Sequence, residues 1–322
     1  MLKLIIPARN EAAYIQDTLY RLSKSLQDIK GEWVIIVVDN GSAEGDRTLQ
    51  KINEFIARSN QYAAHSTRSN DEVINNTKYE VISTKYKYLS CPTAGKGAAI
   101  RYAAEQMGED SNKYQAASNK SEVLSQESIA KYRILNTKYT NASRKVDGFQ
   151  SESISDISPW TSDDIFGFID ADLSADPDAI SGMLEKIQNN EADIVIASRL
   201  LQTKTTNRSF LRTLSSHIFN FLIRLTLGLS VKDAQCGLKL MNQRATDILL
   251  TCTEDGWFLD IEFLAKARQY KLRVQEVPVP WTEFRYPDRK SHIRHVRDGL
   301  GALRAIWRIR RGISPFIRLR SK

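Results

Sequence analysis

The chain has little of what builds stapled or metal-knotted folds. Three cysteines (Cys91, Cys236, Cys252) occur in 322 residues, none of them in a C-x-x-C pair. That excludes a disulfide framework and points to a reducing compartment. His65, His292 and His295 make no ligand spacing with cysteine or with each other, and His217 lies in an apolar helical pattern where it reads as a packed or interfacial residue. No run of about 18 apolar residues is present, so a membrane-spanning helix is not expected. The opening MLKLIIPARN is too short an apolar run for a signal peptide. No internal repeat is visible. Apolar residues make up 42% and charged residues 26%, which excludes overall disorder and leaves room for one large domain or two ordinary ones.

The net charge of +8 is unevenly placed. Residues 285–322 hold twelve Lys/Arg against Asp288 and Asp298, while the rest carries 34 basic and 36 acidic residues. A near-neutral body with a cationic tail is not the profile of a general nucleic-acid coat. The tail suits an anionic partner: a membrane surface, a phosphate-bearing substrate or a nucleic acid.

Short apolar runs alternate with helical patterns. Leu2–Ile6, Trp33–Val38, Tyr79–Ser83, Ile165–Ile169 and Ile194–Ala197 read as strands, and Cys236–Met241 and Arg273–Val279 as two more. Helices are expected from Asn10-Glu11 to Leu26, over Ala98–Met107, from Pro177 to about Gln188, over Ser209–Leu229 and over Trp257–Tyr270. This rhythm predicts an α/β fold with a mostly parallel central sheet and helices on both faces. Residues 108–164, with 11 serines, break the rhythm and read as a polar surface insertion. The expected organisation is a domain over 1–284 carrying that insertion, then a basic tail over 285–322.

Asp170-Ala171-Asp172 follows an apolar strand. In an extended chain, residues two apart point to one side, so both carboxylates could meet a divalent cation bridging a diphosphate. Open α/β sheets bind ligands outside the carboxyl ends of their strands. Asp39 ends another strand, and either accepts from a nucleoside or caps the Asp39-Asn40-Gly41-Ser42 turn.

Ile5-Ile6-Pro7-Ala8-Arg9-Asn10-Glu11, Val37-Val38-Asp39-Asn40-Gly41-Ser42, Gly95-Lys96-Gly97-Ala98-Ala99-Ile100-Arg101 and Asp170-Ala171-Asp172 together resemble the inverting family 2 glycosyltransferases of the GT-A fold. Asp233-Ala234-Gln235-Cys236-Gly237-Leu238-Lys239, Asp260-Ile261-Glu262 and Trp281-Thr282-Glu283 look like the dolichyl-phosphate glucosyltransferase branch, beside the mannosyltransferases. The resemblance covers roughly 3–107 and 165–300. Arg9, Asn40 and the 108–164 insertion depart from the usual pattern.

The resemblance implies roles. Pro7, Arg9, Glu11, Asp39 and Lys96 would surround the nucleotide. Asp170 would lie by ribose and metal, and Asp172 would be the main ligand of Mg²⁺ or Mn²⁺. Arg199 and Arg212 would hold acceptor phosphate or donor diphosphate. Asp233, Gln235 and Lys239 would line the sugar and acceptor pocket. Asp233, Asp260 and Glu262 are either general bases or structural carboxylates pairing Lys239 or Arg268. A phosphate acceptor, with a second pKa of about 6, is already anionic at neutral pH and needs no base.

Ile293–Ile309 places Ile293, Val296, Leu300, Leu303, Ile306 and Trp307 near one helical stripe, with arginines mainly on other faces. Such a helix either lies on a membrane or packs on the domain, and Phe219–Leu229 could add a second apolar contact. The expected activity is hexose transfer, glucose from UDP-glucose, to a polyprenyl or dolichyl phosphate, by a cytoplasmic protein peripheral on an anionic membrane. The alternatives are a GDP-mannose or UDP-GlcNAc donor, a non-lipid acceptor, or a non-catalytic protein whose tail binds nucleic acid. No nucleic-acid partner is expected, since aromatics are not interleaved as a stacking platform.

Overall fold

The computed structural model describes residues 1–66, 85–118, 163–201, 223–282 and 305–311. In chain order the elements are β1 (Leu2–Ala8), α1 (Ile15–Leu26), β2 (Trp33–Asp39), α2 (Thr48–Ser66), β3 (Tyr86–Ser90), α3 (Lys96–Ser118), β4 (Ile165–Phe168), α4 (Ala179–Gln188), β5 (Ile194–Ser198), β6 (Lys239–Met241), α5 (Gln243–Leu250), α6 (Leu259–Gln269) and β7 (Val274–Pro278). One seven-stranded sheet runs β3-β2-β1-β4-β6-β5-β7. Every pairing is parallel except those of β6, which runs antiparallel to β4 and β5.

All seven residues of β1 are buried, as are six of the seven in β2. Continuous apolar strands of this kind need cover on both faces. One helix layer joins α1 to α2 and α4, and the other joins α3 to α5 and α6. The period of α1 is legible in its buried set, Ile15, Thr18, Leu19, Leu22 and Leu26.

Several expectations shift. The strand expected at Tyr79–Ser83 lies outside the described residues, and the strand beside β2 is Tyr86–Ser90. The strand expected over Cys236–Met241 is only Lys239–Met241, because 233–238 turns, with the Cys236 amide donating to the Asp233 carbonyl. Helices α2 and α5 were not expected. Helix α5 is capped by Asn242, whose side chain accepts from the Ala245 amide.

Most of the Ser209–Leu229 helix and of the Ile293–Ile309 helix lies outside the described residues, but 223–227 and 305–311 are helical. Within 223–227, Ile223 and Leu227 are buried while Arg224 and Leu225 are exposed, so this end of the apolar helix turns one side inward and leaves Leu225 outside. Ala305, Ile306 and Ile309 are buried on the body while Trp307 is exposed, so Trp307 does not share the inward stripe of Ile306. Among the described residues no helix is long and apolar enough to cross a membrane.

Parallel pairing puts the carboxyl ends of β3, β2, β1, β4, β5 and β7 on one edge. Because β6 is reversed, its amino end with Lys239 and the loop 233–238 reaches the same edge.

Candidate active site

That edge gathers nearly all the sequence candidates on the described residues. At its β1–β2 end, Pro7 is buried in strand and pairs with Val38, and Arg9 is exposed beyond it. Asn10, at φ 57, donates its amide to Ser42 Oγ (2.9 Å) and accepts from the Ala43 amide (2.7 Å). Glu11 is buried, and its amide donates to Thr48 Oγ1 (3.0 Å). These bonds tie the loop after β1 to the turn after β2. Asp39 Oδ1 accepts from the Ser42 amide (2.9 Å), the capping geometry expected for its turn, and Oδ2 accepts from Tyr88 Oη (3.2 Å). Burial, then the adjacent Asp39 charge, pushes the Tyr88 phenol up to about 12.

The loop after β4 carries Asp170 and Asp172. It is not extended: Ala171 and Asp172 form a turn, the Leu173 amide donates back to the Asp170 carbonyl, and Leu173 has φ 46. The same-side argument from strand alternation therefore fails here, and packing sets the carboxylates instead. Thr18 Oγ1 holds the Ala171 carbonyl (2.7 Å). Asp172 Oδ1 accepts from the Ser174 amide (3.0 Å). The segment 280–282, with the Ala175–Trp281 bridge, clamps 174–176. Asp170 lies so close to Gly237 that any Cβ there would overlap its carboxylate.

Beneath Asp170 is a row of alternating charges. Lys96 Nζ lies 2.7 Å from Asp170 Oδ1 and 3.7 Å from Asp260 Oδ2. Lys239 Nζ donates to Asp260 Oδ1 (2.6 Å) and to the Cys236 carbonyl (2.6 Å). Lys96 and Lys239 lie 5.7 and 5.4 Å from the Phe168 ring, and Lys96 also 5.3 Å from the Trp257 ring. Burial opposes the Lys96 charge, but Asp170 and then Asp260 outweigh it and hold the ammonium above its usual range. Lys96 is positioned by Gly95 and Gly97, where any side chain would overlap the carbonyls of Asp255 and Glu254. Gly95 also has φ 135.

Next along the edge, Arg199 grips the fully buried Asp233 through two parallel bonds, Nε to Oδ2 (2.7 Å) and Nη2 to Oδ1 (2.8 Å). Glu276 fixes that loop by accepting from the Lys232 and Asp233 amides (both 2.8 Å). The Arg199 guanidinium lies over Trp281, 4.8 Å from its centroid. Burial works against its charge, but Asp233 raises it, with a further contribution from Asp170. Gln235 is half-buried in the same loop. Burial pushes the Cys236 thiol up to about 12, which suits packing and not nucleophilic attack.

Glu262 is placed differently. Its oxygens accept from the Thr253 and Glu254 amides (both 2.8 Å), from Thr253 Oγ1 and from Lys266, so it braces the 253–254 segment. Arg268, expected as a carboxylate partner, instead donates to the Leu227 carbonyl (3.0 Å). Arg212 lies outside the described residues. Gly237 and Trp281 lie inside motifs singled out in the sequence but carried no role there, and Trp257 and Glu276 lie in an expected helix and an expected strand but outside any motif.

For a divalent cation, the available donors are the hard oxygens of Asp170 and Asp172. Among the described residues no three His, Cys, Asp or Glu side chains converge to hold a metal ion. Asp170 Oδ1 lies 2.7 Å from Lys96 Nζ, and carboxylate oxygens are the hard donors that Mg²⁺ or Mn²⁺ takes together with phosphate oxygens and water.

The sequence profile of glycosyl transferase family 2 matches residues 3–110 and 127–249. Glycosyltransferase AglD of Haloferax volcanii is 32% identical over 151 residues, which are 45% of this chain and 24% of AglD. The dolichyl-phosphate beta-glucosyltransferase of Drosophila melanogaster is 36% identical over 124 residues, 36% of this chain and 38% of that protein. That of Saccharomyces cerevisiae is 29% identical over 130 residues, 36% and 39% of the two chains. The matches thus span less than half the length of each relative. Glucosyl-3-phosphoglycerate synthase from Mycobacterium tuberculosis, solved with Mn²⁺, UDP and glucosyl-3-phosphoglycerate, overlays with TM-score 0.48 at 15% identity, covering 97% of this chain and 80% of that one.

Proposed function

The chain belongs to glycosyl transferase family 2, and within it we propose an inverting hexosyltransferase that moves glucose from UDP-glucose to a polyprenyl or dolichyl phosphate at a membrane surface. One observation carries the acceptor: all three candidate bases are committed elsewhere. Asp233 is gripped by Arg199, Asp260 lies between two lysines, and Glu262 holds backbone amides. A hydroxyl acceptor needs a base, whereas a phosphate monoester brings its own charge. The similarity to dolichyl-phosphate glucosyltransferases supports the same choice and the glucosyl donor.

In this reading Pro7, Arg9, Glu11 and Asp39 take the nucleoside at the β1–β2 end. Lys96 carries fixed positive charge toward the diphosphate, where preorganised charge lowers the barrier without reorganisation. Asp170 and Asp172 would hold Mg²⁺ or Mn²⁺, which neutralises charge developing on the leaving diphosphate. Arg199, with Gln235 and the Lys239-braced loop, faces the acceptor phosphate. Residues 285–322 supply positive charge, and the exposed Trp307, with Arg311 stacked on its ring at 3.4 Å, is an interfacial group. The chain would then act as a peripheral protein on the cytoplasmic face.

The test is a transfer assay on the full chain with Mg²⁺, comparing UDP-glucose, GDP-mannose and UDP-GlcNAc as donors and polyprenyl phosphate against the unphosphorylated polyprenol as acceptors. Glucolipid formed from the phosphate only is the expected result. Equal transfer to the alcohol would overturn the phosphate acceptor, and a preference for another donor would overturn the sugar.

A further inference from the structure

We propose that Asp260 is a positioning residue, a buried strut between Lys239 and Lys96 that holds the Lys96 ammonium where the donor diphosphate would be met. The proposal deepens the nucleotide-sugar reading above and rests on it.

Four elements contribute one charge each: Lys239 from β6, Asp260 from α6, Lys96 from the start of α3 and Asp170 from the loop after β4. The order is plus, minus, plus, minus. Lys239 is fully buried and Asp260 is 3% exposed. Each oxygen of Asp260 faces an ammonium, Oδ1 at 2.6 Å from Lys239 and Oδ2 at 3.7 Å from Lys96. A general base must reach the proton it abstracts, and a carboxylate enclosed in this way is poorly placed to do so. It is well placed to keep two like charges together. Lys96 and Lys239 flank the same Phe168 ring, and without a carboxylate between them their repulsion would act in a site with little water to screen it.

Lys96 has a flexible four-carbon stem, and an ammonium on such a stem is imprecise unless anchored. Here it has anchors on two sides, and one of them, Asp170, is 30% exposed at the edge where a ligand arrives. If Asp170 turns toward a ligand, Asp260 remains to hold the ammonium in place. Lys96 would touch the donor, and Asp260 would act only through Lys96.

The experiment measures UDP and GDP binding by titration calorimetry on the full chain with Mg²⁺. The variants are Asp260→Asn, Lys96→Met, their combination, and Lys239→Met with Asp260→Asn. Asp260→Asn is expected to weaken diphosphate binding about 10–100-fold, the usual effect of losing an outer-shell partner. Lys96→Met should weaken it at least as much, and the combination no further, since both act through one group. Donor KM should rise in parallel. A merely structural role would lower the number of competent sites and leave the affinity of those remaining unchanged. The Lys239→Met, Asp260→Asn pair removes both buried partners, guards against a folding defect from an orphaned Lys239, and should show the same weakening. Wild-type affinity in Asp260→Asn or in that pair overturns the proposal, and wild-type affinity with lost turnover would make Asp260 a base instead. An unaltered chain that binds neither diphosphate overturns the nucleotide-sugar reading and this inference with it.

Discussion

Arg199 closes on Asp233 from three directions: Nε and Nη2 each take one carboxylate oxygen, and the Arg199 amide adds a bond to Oδ2 at 3.1 Å. The carboxylate is fully buried, so its charge is answered almost wholly by one guanidinium. This single contact joins the end of β5 to the loop before β6 and orients the arginine over Trp281.

Breaking that contact from either side should be costly. Asp233→Ala removes the carboxylate from a mostly enclosed guanidinium and should lower unfolding stability by about 3 kcal/mol in a urea titration. Arg199→Lys keeps the charge but cannot make two parallel bonds. It should fold, and its acceptor KM should rise more than its donor KM. Equal changes in both would separate Arg199 from the acceptor.

Asp172 offers the contrasting case. It is half-exposed, and the hydrogen bond it accepts from the Ser174 amide is worth about 1 kcal/mol. Because its carboxylate is half-exposed where that of Asp233 is fully buried, Asp172→Ala should cost less stability than Asp233→Ala while cutting metal-dependent transfer on the order of 10²–10³-fold. Mn²⁺ binding in the presence of UDP, read by electron paramagnetic resonance, should fall in step. Undiminished transfer would remove Asp172 from the metal site.

Gly97 is a packing constraint that reaches the site. A methyl group there meets the Glu254 carbonyl and the neighbouring backbone of 255–256. Those are backbone atoms braced by Glu262 and by the Arg101 bonds to Glu254 and Asp255, so they cannot yield cheaply. Gly97→Ala should destabilise by about 1–3 kcal/mol and displace Trp257 from Lys96, visible as a change in tryptophan fluorescence. Gly256→Ala, where a Cβ meets nothing within 4 Å, is the control and should leave both unchanged.

What the sequence made legible follows from the range of the forces involved. Short apolar runs such as Leu2–Ile6 and Trp33–Val38 are set by their own composition, and they become the parallel strands Leu2–Ala8 and Trp33–Asp39. The candidate residues could be placed near one sheet edge because strand ends announce themselves by Pro, Asp and Gly. Geometry within the edge was not legible. The turn at Asp170–Leu173 depends on Thr18 and on 280–282, both far away in sequence. The pairing of Lys96 with Asp260 needs the whole sheet assembled. Helix α5 escaped notice because its eight residues make little more than two turns, and two polar residues, Thr246 and Asp247, stand among its buried positions.

The tail divides its labour within one turn of helix. Ile306 and Ile309 are buried on the body, and Arg308 makes two bonds to Glu254 (2.7 and 3.0 Å), while Trp307 and Arg311 remain outside. An outward Trp–Arg pair has no packing role to lose, so Trp307→Ser should leave the melting temperature unchanged. If the pair meets a membrane, the same variant should bind vesicles containing phosphatidylserine more weakly, because the indole is lost from the interface. Reversing Arg311 to Glu should weaken binding further at low salt than at high salt, since the attraction between basic residues and anionic lipid is screened over a Debye length of about 10 Å at 0.1 M. Vesicle co-sedimentation across a salt series measures both effects. Binding that ignores salt and survives both substitutions would assign Trp307 and Arg311 no part in membrane contact.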